Sequence, residues 1–93
     1  MYYLSMNFEF DPKKAVVNLH KHGVAFSEVE PLFYDDFALT REDADAVGEA
    51  RFVTVGLDAL ERIVAVCWTQ RGENVRLISA RLASPSERKS YEN

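Results

Sequence analysis

Apolar and polar positions along the chain recur with two different periods. Residues 7–10 (NFEF) alternate, which predicts a short strand with both phenylalanines facing the core. Residues 13–22 follow a helical period, and Ala15, Val16 and Leu19 form its apolar stripe. The Asp-Pro pair before this stretch supplies an N-cap and a first-turn proline, and the glycine after it supplies a C-terminal stop.

A second capping signal follows directly. Ser27 and Glu30 have the spacing of a capping box, Phe26 is placed to act as a hydrophobic staple, and the pattern predicts a helix through about Tyr34. Pro31 falls inside this segment and removes one early hydrogen bond, so the helix is expected to be short or irregular.

Three strand-like runs occupy the second half of the chain, at residues 51–57, 62–69 and 74–81. Connectors of four residues between them predict hairpins and hence an antiparallel meander. The middle run is apolar on both faces, as expected of a strand at the centre of a sheet. Residues 37–39 interrupt a polar, acidic stretch and predict a short edge strand.

The C-terminal segment carries the signals of a closing helix. Ser84 is placed to cap it, a proline follows at the first position, and Glu87 completes a capping box. Two helical turns then place Arg88 and Tyr91 three residues apart on one face. Because the preceding strand runs out at Arg81, guanidinium and phenol groups are expected to meet there.

The order strand, helix, helix, three strands, helix predicts an α+β fold with a small antiparallel sheet, formed by one domain over residues 1–93. No stretch approaches the roughly 18 apolar residues of a membrane span. The N-terminus lacks the basic and apolar regions of a signal peptide. Cys67 is the single cysteine, which excludes an internal disulfide and is typical of a reducing compartment. A cytoplasmic protein is therefore expected.

Charge is distributed unevenly, although the whole chain has a net charge of −4. Residues 1–61 carry five basic and twelve acidic groups, or −7, whereas residues 62–91 carry six basic and two acidic groups, or +4. Five of those six basic groups are arginine, whose guanidinium makes bidentate contacts with phosphate. Two interpretations follow: a solvated surface that is rich in arginine, or a phosphate site.

The phosphate interpretation selects residues from separate parts of the chain. Arg81 ends a strand, Arg88 and Tyr91 belong to the closing helix, and Lys21 and His22 end the first helix. We expect these groups to converge at one rim of the sheet and to form a cradle for negative charge. The structural alternatives are that His22 caps its helix, where the dipole favours a cation, and that Tyr91 packs the closing helix onto the sheet.

Five further candidates remain, and four of them also have structural alternatives. Glu49 and Arg51 would share one face of a strand, either as a surface ion pair or as a carboxylate base beside a guanidinium. Trp68 is either a core residue or a ring on which an RNA base stacks. Arg71 is either a phosphate contact or a solvated turn residue, and Arg76 adds a basic group to the last strand.

The sequence indicates neither a metal site nor a catalytic triad. On a helix, His20 and His22 would point about 200° apart and could not chelate one ion. No serine, histidine and aspartate set has triad spacing, and the sequence contains no glycine-rich phosphate loop. We therefore predict no metal and no cofactor.

An ordered set of short motifs covers most of the chain. F-x-F-D-P-x-K-A-x-x-N-x-x-K-H-G spans residues 8–23, G-E-x-R spans residues 48–51, and I-S-A-R-x-A-x-x-x-E-R-x-x-Y spans residues 78–91, with Phe26 and Phe33 between them. Taken together, these motifs resemble the BrnT family of bacterial type II toxins. The five residues before Met6 extend beyond the usual start of that family, so Met6 is an alternative start.

The resemblance implies a small RelE-like ribonuclease fold and inhibition of translation by RNA cleavage. It also implies neutralisation by a BrnA-type antitoxin with a ribbon-helix-helix DNA-binding domain, so that operator DNA is contacted only through the antitoxin. The alternatives are a non-catalytic binding module whose basic edge accepts an acidic partner segment, and a degenerate toxin.

Metal-independent RNA cleavage needs a base for the 2′-hydroxyl, cations for the transition-state charge and an acid for the leaving 5′-oxygen. Arg81 is expected to stabilise the phosphate charge, with Arg71, Arg51 and Lys21 as further cations. Either His22 or Glu49 would be the base, and either Tyr91 or His22 the acid. The expected RNA-binding residues around this site are Arg76, Arg88 and Trp68.

Overall fold

The computed structural model describes residues 7–93, and the alternative start at Met6 lies outside that range. The two α-helices are α1 (Pro12–His22) and α2 (Pro85–Glu92), and two 3₁₀ helices span Phe26–Glu28 and Glu30–Tyr34. Five strands complete the structure. The strands are β1 (Asn7–Glu9), β2 (Leu39–Glu42), β3 (Phe52–Leu57), β4 (Ile63–Arg71) and β5 (Asn74–Leu82). The predicted α+β class is confirmed, and the RelE-like description stays a prediction.

The five strands form one sheet in the order β1-β5-β4-β3-β2. The predicted meander of β3, β4 and β5 is confirmed, and β4 lies in the middle as expected. The prediction of a purely antiparallel sheet is wrong, because β1 pairs with β5 in parallel. Strands joined by a hairpin must be antiparallel, but β1 and β5 are separated by most of the chain, which leaves either direction open.

Helices cover both faces of the sheet. On one face, which we call the helix face, α1 and the 3₁₀ helices enclose the larger core, in which Val24, Leu32, Val64 and Val66 are fully buried. On the opposite face a smaller cluster centred on Val53, Val55 and Ala65 packs against Tyr91 of α2. The two faces of the sheet are therefore packed against different helices.

The predicted boundaries of α1 are confirmed, but its predicted apolar stripe is wrong. Asp11 accepts a hydrogen bond from the Lys13 amide at 2.9 Å, and Gly23 ends the helix at φ 71°. Val16 and Leu19 are 60% and 49% exposed, whereas Asn18 is only 6% exposed. The polar Asn18 faces the sheet because β5 offers unpaired backbone groups there.

The predicted second helix is not formed as one element. Two 3₁₀ helices replace it, separated at Val29, and neither has a side-chain cap, so the predicted box of Ser27 and Glu30 is wrong. Pro31 supplies the reason, since it lacks an amide donor and its ring collides with the carbonyl four residues earlier in an α-helix. The edge strand β2 also begins two residues later than predicted, at Leu39.

The hairpin between β4 and β5 is tighter than predicted. β4 continues through Arg71, and only Gly72 and Glu73 connect the strands, with Gly72 at φ 60°. A two-residue hairpin needs positive φ in its turn, which glycine adopts without strain. Arg71 is therefore a strand residue rather than a turn residue.

The closing helix α2 begins as predicted. The Glu87 amide donates to Ser84 Oγ at 3.2 Å, and the Ser84 amide donates to Glu87 Oε1 at 2.8 Å, which completes the capping box. No residue of α2 is buried. Polar contacts to the sheet consequently carry much of its attachment.

Candidate functional site

A basic groove of about 300 Å³ lies between α1 and β5. The floor on the strand side consists of Ile78 and Ser79. The basic side chains that line it are Lys13, Lys14, Lys21 and His22. We call this the α1 groove, and its charge makes it a surface for an anionic ligand.

Asn18 holds α1 against the strand below the groove. The Ala80 amide donates to Asn18 Oδ1 at 3.0 Å, and Asn18 Nδ2 donates to the carbonyl oxygens of Ala80 and Val24, each at 2.9 Å. β1 pairs with β5 only as far as Arg76, so within residues 7–93 the edge of β5 beyond that point has no neighbouring strand. The Asn18 amide takes the place of a strand at Ala80.

The opposite face of the sheet carries arginines from several strands. Cross-strand partners point to the same side of a sheet, so Arg41 opposite Val53 and Arg81 opposite Ala65 lie on the face that α2 partly covers. The same alternation along β4 and β5 adds two more, and Arg51 directly precedes β3. We call this the arginine face, formed by Arg41, Arg51, Arg71, Arg76 and Arg81.

Cys67 lies in the middle of the arginine face, opposite Ser79 on β5. Burial raises the pKa of the Cys67 thiol, and the charge of Asp43 raises it further, whereas Arg51, Arg41 and Arg81 act to lower it. Three guanidinium groups and one carboxylate therefore act on the thiol at the centre of the sheet.

Most of these arginines already have carboxylate partners. Arg81 binds Glu87 in a bidentate manner, with Nη1 to Oε1 at 2.6 Å and Nη2 to Oε2 at 3.1 Å. Arg41 approaches the same carboxylate at 3.7 Å. On the other side of the face, two pairs each have a distance of 3.4 Å: Arg71 with Glu49 and Arg76 with Glu9.

Arg51 differs from its neighbours. Its Nε atom is buried and has no hydrogen-bond partner among residues 7–93. An unsatisfied buried donor is unfavourable, so an acceptor that reached it would be bound more strongly than at a solvated arginine.

The bidentate contact sets the charge state of Glu87. The hydrogen bond from Arg81 lowers the pKa of Glu87 to about 2, against an ordinary value of 4.5. The same contact raises the pKa of Arg81. Both groups are therefore charged at neutral pH, and Glu87 occupies the guanidinium much as a phosphate would.

Acid should destabilise the protein through Glu87. Because its pKa is lower in the folded protein than in the unfolded chain, its stabilising effect is complete above pH 4.5 and is lost as the pH falls towards 2. After allowance for partial exposure, we expect a loss of about 2 kcal/mol in the free energy of unfolding. Urea unfolding at a series of acidic pH values measures this loss of free energy of unfolding. In Glu87→Gln this part of the pH dependence should be absent, and an unchanged pH profile in that variant would contradict the assignment.

Tyr91 has a partner other than the predicted phosphate. Its hydroxyl donates to Asp35 Oδ2 at 2.5 Å, and the same carboxylate oxygen accepts from the Leu57 amide at 3.1 Å. The hydrogen bond to Asp35 raises the pKa of Tyr91 to about 12. Tyr91 thereby ties α2 to the end of β3.

The predicted single rim is replaced by two separate regions. Lys21 and His22 line the α1 groove, whereas the Arg81 guanidinium lies against Glu87 on the other face. Arg88 is exposed and approaches Glu92 at 3.9 Å, whereas Tyr91 contacts Asp35, so the two side chains of α2 have different partners. The two basic regions border each other at Ser79, which lines the groove and is paired with Cys67.

Two other predicted arrangements also differ in the structure. Glu49 lies outside the strands and pairs with Arg71 rather than with Arg51, because β3 begins only at Phe52. Trp68 faces the helix core, where its Nε1 donates to Thr54 Oγ1 at 2.8 Å. Trp68 is thus on the opposite side of the sheet from the arginine face.

Several residues of these regions were not singled out from sequence. Lys13 and Lys14 could have been found from helical spacing, since Lys14 and Lys21 are two turns apart on one helix face. Arg41 and Ser79 carry no local signal, because only the strand register brings them into place. Asn18 gave a misleading signal, since a polar residue inside an apolar pattern normally faces solvent.

Among residues 7–93, no group of three or more His, Cys, Asp or Glu side chains is arranged to hold a metal ion. None of the helices in that part of the chain is long and apolar enough to cross a membrane.

Comparison with known proteins adds to this geometry. Residues 10–87 match the family described as "Ribonuclease toxin, BrnT, of type II toxin-antitoxin system". The crystal structure of the Brucella abortus ribonuclease toxin BrnT superimposes with a TM-score of 0.66 and 24% sequence identity, covering 86% of this chain and 99% of that one. No curated protein matches the sequence. The chain belongs to the BrnT family of ribonuclease toxins of type II toxin-antitoxin systems.

Proposed function

We propose that this protein is an endoribonuclease whose RNA substrate lies across the open edge of β5, between the α1 groove and the arginine face. The observation that carries this proposal is the position of Ser79. It lines the α1 groove, and its cross-strand partner Cys67 lies on the arginine face. Positive charge on both sides of one strand suits the phosphates of an RNA chain that crosses it.

Arg81 can bind phosphate without leaving Glu87. Its contacts with Glu87 and the Leu82 carbonyl use both Nη1 hydrogens and one Nη2 hydrogen. The Nε hydrogen and the second Nη2 hydrogen make no hydrogen bond within residues 7–93, and 40% of the side chain is exposed. Arg81 held by Glu87 is therefore a pre-oriented donor, which suits stabilisation of transition-state charge.

The reaction we propose is attack of the 2′-hydroxyl oxygen on the adjacent phosphorus. The base takes the hydroxyl proton, the bond from phosphorus to the 5′-oxygen breaks, and the acid protonates that oxygen, so the ribose itself supplies the nucleophile and no metal is required. His22 is our proposed base because it lies in the α1 groove, with Lys21 beside it as a source of positive charge. Arg81 and Arg51 would hold the charge that develops on phosphate.

The remaining candidates have outer roles in this proposal. Arg71 and Arg76 would contact phosphates further along the arginine face, and Arg88 would contact RNA only where it passes α2. Glu49 is the alternative base, although its position beside Arg71 places it away from the α1 groove lining. Trp68 is not included, because it faces the helix core.

The sequence offered Tyr91 and His22 as alternatives for the acid, and substitution of Tyr91 tests the first of them. Tyr91→Phe should lower the free energy of unfolding by about 1.5 kcal/mol, because one partly buried hydrogen bond to a carboxylate is lost. It should leave the rate of RNA cleavage by the folded protein nearly unchanged, since the Tyr91 hydroxyl is already committed to Asp35. Calorimetry and a cleavage assay measure the two effects. A large loss of cleavage in a fully folded variant would restore Tyr91 as the acid.

The family membership supports the wider biological proposal. Cleavage of cellular RNA would inhibit translation in the cytoplasm. The neutralising partner would be a BrnA-like antitoxin with a ribbon-helix-helix domain, and only that partner would contact operator DNA. Co-expression with the adjacent reading frame should yield a complex, and recovery of this chain alone would contradict the proposal.

Purified protein incubated with RNA in the presence of a chelator tests the reaction directly. We expect cleavage with 2′,3′-cyclic phosphate ends, since the 2′-oxygen stays bonded to phosphorus. Loss of cleavage on chelation would contradict the metal-independent reaction.

A second candidate function is a non-catalytic module that binds an acidic protein segment. The carboxylates that already lie against Arg71, Arg76 and Arg81 favour it, because they show that the arginine face accepts acidic side chains. Such a module, or a degenerate toxin, would leave RNA intact over a wide range of protein concentration.

A further inference from the structure

A second pocket opens on the helix face, on the other side of the sheet from the arginine face. It has a volume of about 440 Å³ and lies beside the 3₁₀ helix Glu30–Tyr34. We call it the aromatic pocket, and its defining residues are Phe33, Asp35, Thr40, Trp68, Gln70 and Glu73. None of the lining residues contributed by residues 7–93 is basic.

The aromatic wall of this pocket is fixed. Trp68 packs edge-to-face on Phe33 at 5.7 Å and lies 4.9 Å from Phe52. Its indole nitrogen already donates to Thr54, a 3% exposed residue whose hydroxyl is in turn bonded to Thr40. Phe52 lies against the indole at an interplanar angle of 30°, so what Trp68 can still offer a ligand is the part of its ring that lines the pocket, and an aromatic ring attracts cations.

The polar wall presents acceptors. Asp35 is held as a carboxylate by the Tyr91 hydroxyl and two backbone amides. Glu73 is exposed and makes no ion pair within residues 7–93. Gln70 uses its Nε2 on the Gly72 carbonyl at 2.8 Å, which leaves its side-chain oxygen as an acceptor.

We propose that the aromatic pocket binds an arginine side chain of a partner polypeptide. A guanidinium is planar and can stack on Trp68 while its five N–H groups donate to carboxylate and amide oxygens, which a lysine ammonium does less well. Two carboxylates without a cation in the lining repel the phosphates of nucleic acid, so a protein partner is favoured over RNA. This site is separate from the proposed RNA surface and does not depend on it.

Trp68 is the single tryptophan, so its fluorescence reports on this pocket alone. The probes are acetylated, amidated Gly-Arg-Gly and the same peptide with citrulline, which has nearly the same shape without the charge. We expect a saturable change with the arginine peptide at millimolar concentration and binding at least about tenfold weaker with citrulline. Equal affinity for both peptides, or no saturable change with either, would overturn the proposal.

A matched pair of variants locates the site. Glu73→Gln should weaken binding of the arginine peptide about threefold. Glu30 is an exposed carboxylate outside the pocket lining, so Glu30→Gln should leave the affinity unchanged. If the two substitutions weakened binding of the peptide equally, the peptide would be attracted by the general negative charge of the protein rather than by this pocket. That result would overturn the proposed site. Saturable binding of cytidine or adenosine in preference to the peptide would instead assign the pocket to a nucleobase. RNA cleavage should be unaffected by Glu73→Gln, which keeps this test independent of the proposed ribonuclease.

Discussion

Replacing Asn18 by alanine should lower the free energy of unfolding by about 3 kcal/mol, the largest stability effect that we expect from a helix substitution. Three hydrogen bonds are lost at once, and the amide and carbonyl of Ala80 are left without partners at the edge of β5. Buried backbone groups without partners are strongly unfavourable. Chemical unfolding of the purified variant measures the change.

Val16→Ala is the matched control for Asn18. It alters a side chain on the same helix that is 60% exposed, so its effect should be below about 0.5 kcal/mol. Asn18→Asp should fall between the two variants, because a carboxylate accepts from the Ala80 amide but cannot donate to the Ala80 carbonyl. A near-neutral Asn18→Ala would show that Asn18 does not hold α1 on the sheet.

Arg81→Ala should slow RNA cleavage by about 100-fold, which is the usual loss when one donor to transition-state charge is removed. The substitution also leaves the Glu87 carboxylate facing the substrate path with only the more distant Arg41 guanidinium beside it, at 3.7 Å, which adds repulsion of phosphate. Single-turnover cleavage by protein shown to be folded is the appropriate measurement. Arg81→Lys should recover only part of the rate, because a lysine cannot hold Glu87 and phosphate in one plane.

Arg88→Ala is the control for Arg81. It removes an exposed arginine that is seven residues away in α2 and has only a distant partner at 3.9 Å. We expect its rate within about threefold of the wild-type rate, with any change depending on salt concentration. Equal rates for Arg81→Ala and wild-type protein would remove Arg81 from the reaction.

Local signals predicted the three strands of the meander and the ends of α1 and α2 well, and the reason lies in short-range chemistry. The capping box of Ser84 and Glu87 and the stop at Gly23 depend only on neighbouring residues. The apolar run of β4 indicated a central strand because both of its faces are covered. These elements needed no knowledge of distant contacts.

Long-range contacts explain what sequence reasoning missed. Three residues of β1 are too few to cover β5, and the uncovered edge attracts the polar Asn18 to the sheet in place of Val16. The rotation of α1 that follows also brings Lys14 and Lys21 to the groove. None of this can be read from the helix alone.

The candidate site was only partly predictable for a similar reason. The composition showed that the second half of the chain is rich in arginine, but it did not show on which face of the sheet each arginine lies. Which arginines share a face depends on the register, including the irregularity at Cys67 and Trp68, which changes the alternation along β5. The carboxylates that pair with those arginines, such as Glu87, belong to other parts of the chain than the strands that carry the arginines.

The face of the sheet that binds RNA can be identified from chemical-shift changes of the backbone amides and the indole in the labelled protein. The ligand is a 2′-O-methyl RNA, which cannot supply the nucleophile. We expect shifts at Lys21, His22, Ser79 and Arg81, with the Trp68 indole signal unchanged. Shifts centred on Trp68, without any at residues 78–81 or at the end of α1, would place the RNA on the other face of the sheet and contradict the proposed RNA path.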